Sequence, residues 1–291
     1  MKTIIKSLLI ALIIGSIASE TTHAQGPYVT SLQTFYDELA PYGQWVNNPT
    51  YGYVFYPNAG PGFVPYSTNG NWLYNNNYGW TWNSGYPWGW ACFHYGRWNY
   101  DPSYGWFWVP DLNWGPAWVA WRCAGSDYGW APLPSGADIN VGFGNGLGIG
   151  VNFWTFVPNQ YLGETDLSSY YLPRMNNDLY IGNSVFLNQS YYNSNGGYRY
   201  YGGPDRGEVE RYRHRTIEPA GINEYSDRHR HFEGENQINI YNPGGREHHD
   251  RGDGGRDNAA PGNYVGENDM PQRDREHKYN NRGHDNHNYW H

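Results

Sequence analysis

An aromatic unit that occurs three times between residues 42 and 130, and starts a fourth time, most constrains what this chain can fold into. Tyr42-Gly43-Gln44-Trp45 returns as Asn69-Gly70-Asn71-Trp72 and as Tyr95-Gly96-Arg97-Trp98. A second motif follows in step: Tyr51-Gly52-Tyr53-x-Phe55, Tyr78-Gly79-Trp80-x-Trp82, Tyr104-Gly105-Trp106-x-Trp108 and finally Tyr128-Gly129-Trp130. The period is 26 or 27 residues. Recurrence at such a period means one supersecondary unit packed on copies of itself.

Within each unit the large rings are two residues apart, as in Trp72 and Tyr74, Trp80 and Trp82, or Trp106 and Trp108. Side chains two apart share one face of a strand. Between the two motifs lies a turn-forming cluster: Asn47-Asn48-Pro49-Thr50, Asn75-Asn76-Asn77 or Asp101-Pro102-Ser103. Each unit therefore reads as an antiparallel β-hairpin, and the fold class is all-β, with three and a half hairpin units. Linkers such as Ser84-Gly85-Tyr86-Pro87-Trp88-Gly89-Trp90 are expected to bend sharply without helix.

The order Phe35-Tyr36-Asp37-Glu38-Leu39, Pro41-Tyr42-Gly43-x-Trp45, Trp88-Gly89-Trp90-Ala91, His94-Tyr95-Gly96-Arg97-Trp98, Trp114-Gly115-Pro116-Ala117-Trp118 and Tyr128-Gly129-Trp130-Ala131-Pro132-Leu133 resembles an uncharacterised family of exported Bacteroidetes proteins. That family is known as a domain of unknown function with Tyr/Trp/Pro repeats. The resemblance covers residues 33 to 134, and 150 to 222 more weakly. It implies an exported β domain and carries over no catalytic residue.

Around this block the chain divides by composition. Residues 1–24 carry Lys2 and Lys6, an apolar run from Ser7 to Ala18, and Thr22-His23-Ala24 before Gln25. That is the pattern of a cleaved secretory signal rather than a membrane span, so the mature chain is expected in the periplasm or outside the cell; the resemblance implies that the cell is a Gram-negative bacterium. Residues 25–41 hold a linker and a short helix, because Leu32, Phe35, Tyr36 and Leu39 form a helical stripe that Ser31 can cap and Pro41 ends. Residues 42–134 are the hairpin domain. Residues 135–203 form a β-rich extension that begins with an alternating stretch centred on Asn145-Gly146, a hairpin signal, and includes a strand over 179–187. Residues 204–242 hold a helix opened by Asp205-Arg206-Gly207-Glu208, a capping-box pattern, and a strand over 238–241. From 243 to 291 the composition is that of a disordered, charged, His-rich tail. Of the 27 acidic and 19 basic residues, 17 and 13 fall after Gly203, so most of the charged residues, though only half of the net charge of −8, lie there.

For function, the aromatics matter most. Residues 42 to 130 hold 13 of the 15 tryptophans, more ring surface than a domain of about 90 residues can bury alone. The rings are either a core or a platform for sugar faces, and Trp80, Trp82, Trp88, Trp106, Trp108 and Trp114 are the candidate stacking residues. A glycan-binding module exposes a row of rings; a structural protein covers them. Asp101, Asp111 and Asp127 read as turn residues and His94 as a packed histidine. No Gly-x-Ser-x-Gly, His-Glu-x-x-His or Cys-x-x-Cys occurs, so the expectation is no enzyme and no cofactor. His229, His231, His248 and His249 match no structural zinc spacing, and no metal site is assigned. Export and acidity oppose nucleic acid as a partner, despite Gly245-Arg246 and Arg251-Gly252, and leave an envelope glycan or another envelope protein. Cys92 and Cys123, the two cysteines, are expected to form a disulfide, on the reasoning that stacked units bring their linkers together.

Overall fold

A computed structural model describes residues 31–137, 148–193, 198–226 and 236–241. The expected signal segment, the Asn145-Gly146 centre and the charged tail lie outside the described residues.

The helical stripe forms α1 (Leu32–Leu39), which ends in a 3-10 turn, Ala40–Tyr42, containing Pro41. Ser31 takes the extended conformation of a cap but makes no side-chain bond. Phe35 and Leu39 are wholly buried, and the Phe35 ring lies 5.1 Å from Trp108 and 5.3 Å from Tyr95.

Four hairpins follow: β1 (Gly43–Asn48) with β2 (Gly52–Pro57), β3 (Gly70–Asn75) with β4 (Gly79–Ser84), β5 (Arg97–Asp101) with β6 (Gly105–Val109), and β7 (Val119–Ala124) with β8 (Asp127–Pro132). The expected half unit is thus a complete hairpin. Each hairpin sets an aromatic pair across its strands at the same place: Trp45 faces Phe55, Trp72 faces Trp82, Trp98 faces Trp108 and Trp121 faces Trp130. Cross-strand pairs of this kind stabilise and fix register.

The two glycines of each unit do different work. Gly52, Gly79 and Gly105 follow the turns at φ +73°, +76° and +86°, backbone that residues with a Cβ avoid. Gly43, Gly70 and Gly96, the last also at positive φ (+64°), are where the opposing ring lies on the backbone: an added Cβ would fall 2.7 Å from Phe55, 2.6 Å from Trp82 and 2.8 Å from Trp108. The turns are tied by side-chain oxygens, as Asn48, Asn75 and Asp101 each accept the N–H two residues on. Asp111 does the same for Asn113, whereas Asp127 falls inside β8, opposite Ala124.

Successive units are not successive neighbours. The first and third hairpins join through Phe55 and Trp108 into the sheet β1-β2-β6-β5, while β3-β4 stands as a separate two-stranded sheet. The fourth hairpin is extended on one side by β9 (Thr155–Pro158) and on the other by β10 (Val185–Phe186), so the expected boundary at residue 134 falls within one sheet's chain. Two smaller sheets complete the described fold: β11 (Ser190–Asn193) antiparallel to β12 (Tyr198–Tyr201), and β13 (Gly221–Tyr225) parallel to β14 (Gln237–Tyr241).

Three local readings differ from the sequence expectation. The linker after Trp88 makes a one-turn helix, α2 (Gly89–Cys92). The strand expected over 179–187 begins instead in α3 (Asn177–Gly182), with only Val185 and Phe186 in a strand. Asn177 anchors α3 by donating to Val151 O at 2.9 Å and Trp154 O at 2.8 Å, and Asp178 sits in its first turn, where a carboxylate favours helix. The third difference is the disulfide: both cysteines are free thiols. Cys92 is buried in α2, whose next residue, Phe93, is tied through Tyr66 to Trp118 at the start of β7. Cys123 lies five residues further along the chain, about 16 Å of extended strand, beside the β7–β8 turn. Denatured without reductant, the chain should therefore show two reactive thiols, and in the native state only the half-buried Cys123 should react; a single band of oxidised, thiol-free protein would contradict this.

The capping pattern at 205–208 opens α4 (Arg206–Arg213), with the Asp205 side chain accepting from Glu208 N at 2.9 Å. Glu208 accepts a 2.9 Å hydrogen bond from Tyr128, docking α4 onto β8.

Candidate functional site

The six candidate stacking tryptophans, Trp80, Trp82, Trp88, Trp106, Trp108 and Trp114, are all buried, with Trp106, 9% exposed, reaching the wall of a cleft. Trp80 donates Nε1 to Pro204 O at 3.0 Å and Trp108 to Tyr95 O at 2.7 Å. Trp82 packs among Tyr66, Trp72 and Phe93. Trp88 stacks on Tyr86 at 4.4 Å, Trp114 on His94 at 5.6 Å, and Trp106 lies 4.6 Å from Phe153. The ring count exceeded what the hairpins alone can cover because Phe153, Pro204 and their neighbours in the extension supply the missing cover.

The exposed rings among the described residues are tyrosines, and four of the six collect at the turn ends of the first and third hairpins, the others being Tyr170 and Tyr212. Tyr104 is 78% exposed, Tyr53 47%, Tyr100 44% and Tyr51 39%, while their counterparts in the other two hairpins, Tyr78 and Tyr128, are buried. Tyr51 and Tyr56 flank Phe107 at 5.9 and 5.4 Å, and Tyr56 lies 6.2 Å from Tyr104. Partial burial, then the nearby Asp101, raise the Tyr56 phenol above its usual pKa, so it stays a neutral donor. Pairing of β2 with β6 brings these tyrosines together; the only sequence signal was their place next to a turn glycine.

Two clefts flank the β5–β6 turn. One, of about 350 Å³, is lined by Asn48, Tyr51, Asn99, Asp101, Phe107 and Phe153. The other, of about 460 Å³, is lined by Phe63, Tyr100, Tyr104, Trp106, Phe153 and Arg174. A larger cleft of about 710 Å³ lies between α1, the end of β4 and β14, bounded by Glu38, Asn83, Ser84, Trp90, His94 and Tyr241. Glu38 is the one carboxylate of the large cleft and Asp101 of the smallest; the third holds none. Paired carboxylates, as glycoside hydrolysis needs, meet in none of the three. Among the described residues no group of three or more His, Cys, Asp or Glu is placed to hold a metal; His229, His231, His248 and His249 lie outside them.

His94 is packed and bonded as a structural residue. Its Nδ1 lies 3.0 Å from Gly115 O, and a carbonyl only accepts, so Nδ1 carries the proton. Its own carbonyl accepts from Gly115 N and Trp118 Nε1. Burial lowers the imidazole from 6.5 to about 4, against smaller opposing effects of backbone bonds to Gly115 and Pro116. Below pH 6.5 the unfolded chain binds a proton that the folded one refuses. Stability is therefore lost as pH falls from 6.5 toward 4, by up to about 1.4 kcal/mol per pH unit, and this loss is absent above 6.5. His94→Gln should flatten the urea midpoint between pH 6.5 and 5; an unchanged slope would mean His94 is not the group responsible.

The family model described as "Family of unknown function (DUF6600)" matches residues 36–137, the stretch that runs from α1 through the four hairpins. No curated protein matches the chain, and no solved structure does.

Proposed function

We propose that this chain is an exported, noncatalytic β protein that acts at the cell envelope, binding a surface component through the tyrosine-rimmed ends of its first and third hairpins. The observation that carries the reading is the division of the hairpin rings: most tryptophans are withdrawn into the core, and four of the six exposed tyrosines, Tyr51, Tyr53, Tyr100 and Tyr104, gather at one end of one sheet. Tyrosine combines a flat apolar body with a hydroxyl, so it suits a wet contact surface. The Lys2/Lys6 start, the apolar run and Ala24 support export, and no helix among the described residues is long and apolar enough to cross a membrane. The absence of a carboxylate pair in the three clefts supports a noncatalytic role.

Burial of all six candidate tryptophans favours a second reading, in which the domain is an envelope structural element without a ligand. Pull-down of the full chain with purified peptidoglycan, lipopolysaccharide and insoluble polysaccharides separates the two. Retention on one of them, lost in a Tyr51→Ala/Tyr104→Ala double variant that still folds, supports binding. Retention on none, or retention indifferent to the tyrosines, supports the structural reading.

A further inference from the structure

Arg174 differs from the other cations near the hairpins. Between Gln25 and Gly203 there are four, Arg97, Arg122, Arg174 and Arg199. Arg97 lies 3.5 Å over the Trp118 ring and Arg122 lies 3.8 Å over Phe186, where it donates to Ile181 O and Ser184 O. Arg174 instead lines the open 460 Å³ cleft. It donates one N–H, from Nη2 to Thr155 Oγ1 at 3.1 Å, and Thr155 is itself held by Ser67 at 2.5 Å in the buried interior. The guanidinium is thus fixed at one nitrogen while a guanidinium has five N–H donors. Among the described residues it makes no ion pair. Burial raises the pKa of the Tyr171 phenol, against a smaller opposing effect of the nearby Arg174, and its hydroxyl is buried without a hydrogen-bond partner. Burial holds the Arg174 pKa below its usual value, and no carboxylate acts to raise it. Asp101, on the neighbouring turn, spends Oδ1 on the N–H groups of Ser103 and Tyr104.

A half-buried cation without an anion is a cost that a bound anion removes. The rest of the wall is aromatic: Phe63, Tyr100, Tyr104, Trp106 and Phe153. The volume falls in the range of small-ligand pockets, roughly 300–1,000 Å³. We propose that this cleft binds a carboxylate-bearing sugar, its ring face against Tyr100 and Tyr104 and its carboxylate on the Arg174 guanidinium. A planar carboxylate matches the guanidinium fork, and a pyranose presents flat apolar C–H faces to rings. The inference rests on the surface-binding reading above and narrows its ligand to acidic glycan.

The test is calorimetric titration of the full chain with oligogalacturonate, with its methyl ester and with inorganic phosphate. Oligogalacturonate is expected to bind, and the ester, which keeps the ring but loses the charge, to bind about tenfold to a hundredfold more weakly. Phosphate alone should bind no better than the ester, since it offers no ring face. Arg174→Gln should bring acid and ester to the same weak affinity, and Tyr104→Ala, at an exposed position that leaves folding intact, should weaken both. Equal binding of acid and ester overturns the proposal, as does an acid preference that survives Arg174→Gln; phosphate binding as tight as the oligosaccharide reduces the site to an anion site and overturns it too. Retention on envelope material without any uronate binding refutes this inference and leaves the surface-binding reading standing.

Discussion

Trp72→Ala is expected to destabilise the domain by about 3–5 kcal/mol, a large share of the roughly 5–15 kcal/mol that holds an ordinary domain folded. Trp72 is wholly buried and touches four other rings from three parts of the chain. Its ring lies 4.6 Å from Trp121, 5.1 Å from Trp82, 5.6 Å from Trp130 and 6.3 Å from Tyr66, which it stacks nearly parallel. Those contacts join the separate β3–β4 hairpin to the sheet of the fourth hairpin. Alanine would leave a cavity walled by large rings whose positions are fixed by their own packing: Trp130 donates Nε1 to Tyr66 O at 2.6 Å, and Tyr66 donates to Phe93 O at 3.0 Å. Urea titration by near-ultraviolet circular dichroism reads the loss directly. Tyr104→Ala is the control, because it sits 78% exposed and should change stability by less than about 0.5 kcal/mol. Equal effects of the two substitutions would mean that Trp72 is not a core residue.

Gly96→Ala is the second large effect, and Gly105→Ala is its comparison. Both glycines have positive φ, +64° and +86°, so each substitution incurs roughly 1–2 kcal/mol for left-handed backbone. They differ in space. An added Cβ at Gly105 meets nothing within 4 Å, whereas at Gly96 it falls 2.1 Å from Val109 O and 2.8 Å from Trp108 Nε1. Trp108 cannot swing away cheaply, since its Nε1 is bonded to Tyr95 O and its ring is opposed by Phe35 at 5.1 Å. Overpacking adds about 1–3 kcal/mol on top of the backbone cost. Gly96→Ala should therefore exceed Gly105→Ala by that margin in urea midpoint multiplied by the common m-value. A match between the two would show that the ring does not lie on the glycine.

The repeated glycine before each tryptophan was thus legible as a motif but not as a contact. Its spacing from Trp45, Trp72 and Trp98 is local information; that Phe55, Trp82 and Trp108 close onto it depends on strand register, which the pairing across each hairpin sets. The hairpins were readable because two-residue ring spacing, Asn or Asp at the turn and a following glycine agree with one another. The capping residues at 205–208 and the apolar stripe at 32–39 were readable for the same reason, as neighbours in sequence are neighbours in a helix. Leu179 and Ile181 misled because a short apolar run fits strand or helix equally, and Asn177 settled it through bonds to Val151 and Trp154, more than twenty residues away.

The candidate site was the least legible part. Tyr51, Tyr78, Tyr104 and Tyr128 hold the same place in the repeated motif, yet two are exposed and two are buried. Nothing near any of them in sequence makes that choice; it follows from the first hairpin joining the third and from later segments covering the other two. Arg174 acquires its place beside Tyr100 and Tyr104 only through Thr155 and β9.

By itself, then, the sequence determined that the chain makes antiparallel aromatic hairpins with Asx-tied, glycine-closed turns, because those features are settled by residues within a few positions of each other. Only the tertiary structure decided which hairpins pair, which of the equivalent tyrosines are core and which surface, and that Cys92 and Cys123 stay apart. Hydrophobic burial is non-directional, so chemically equivalent hairpins are distinguished only by which surfaces the rest of the chain leaves for them to cover.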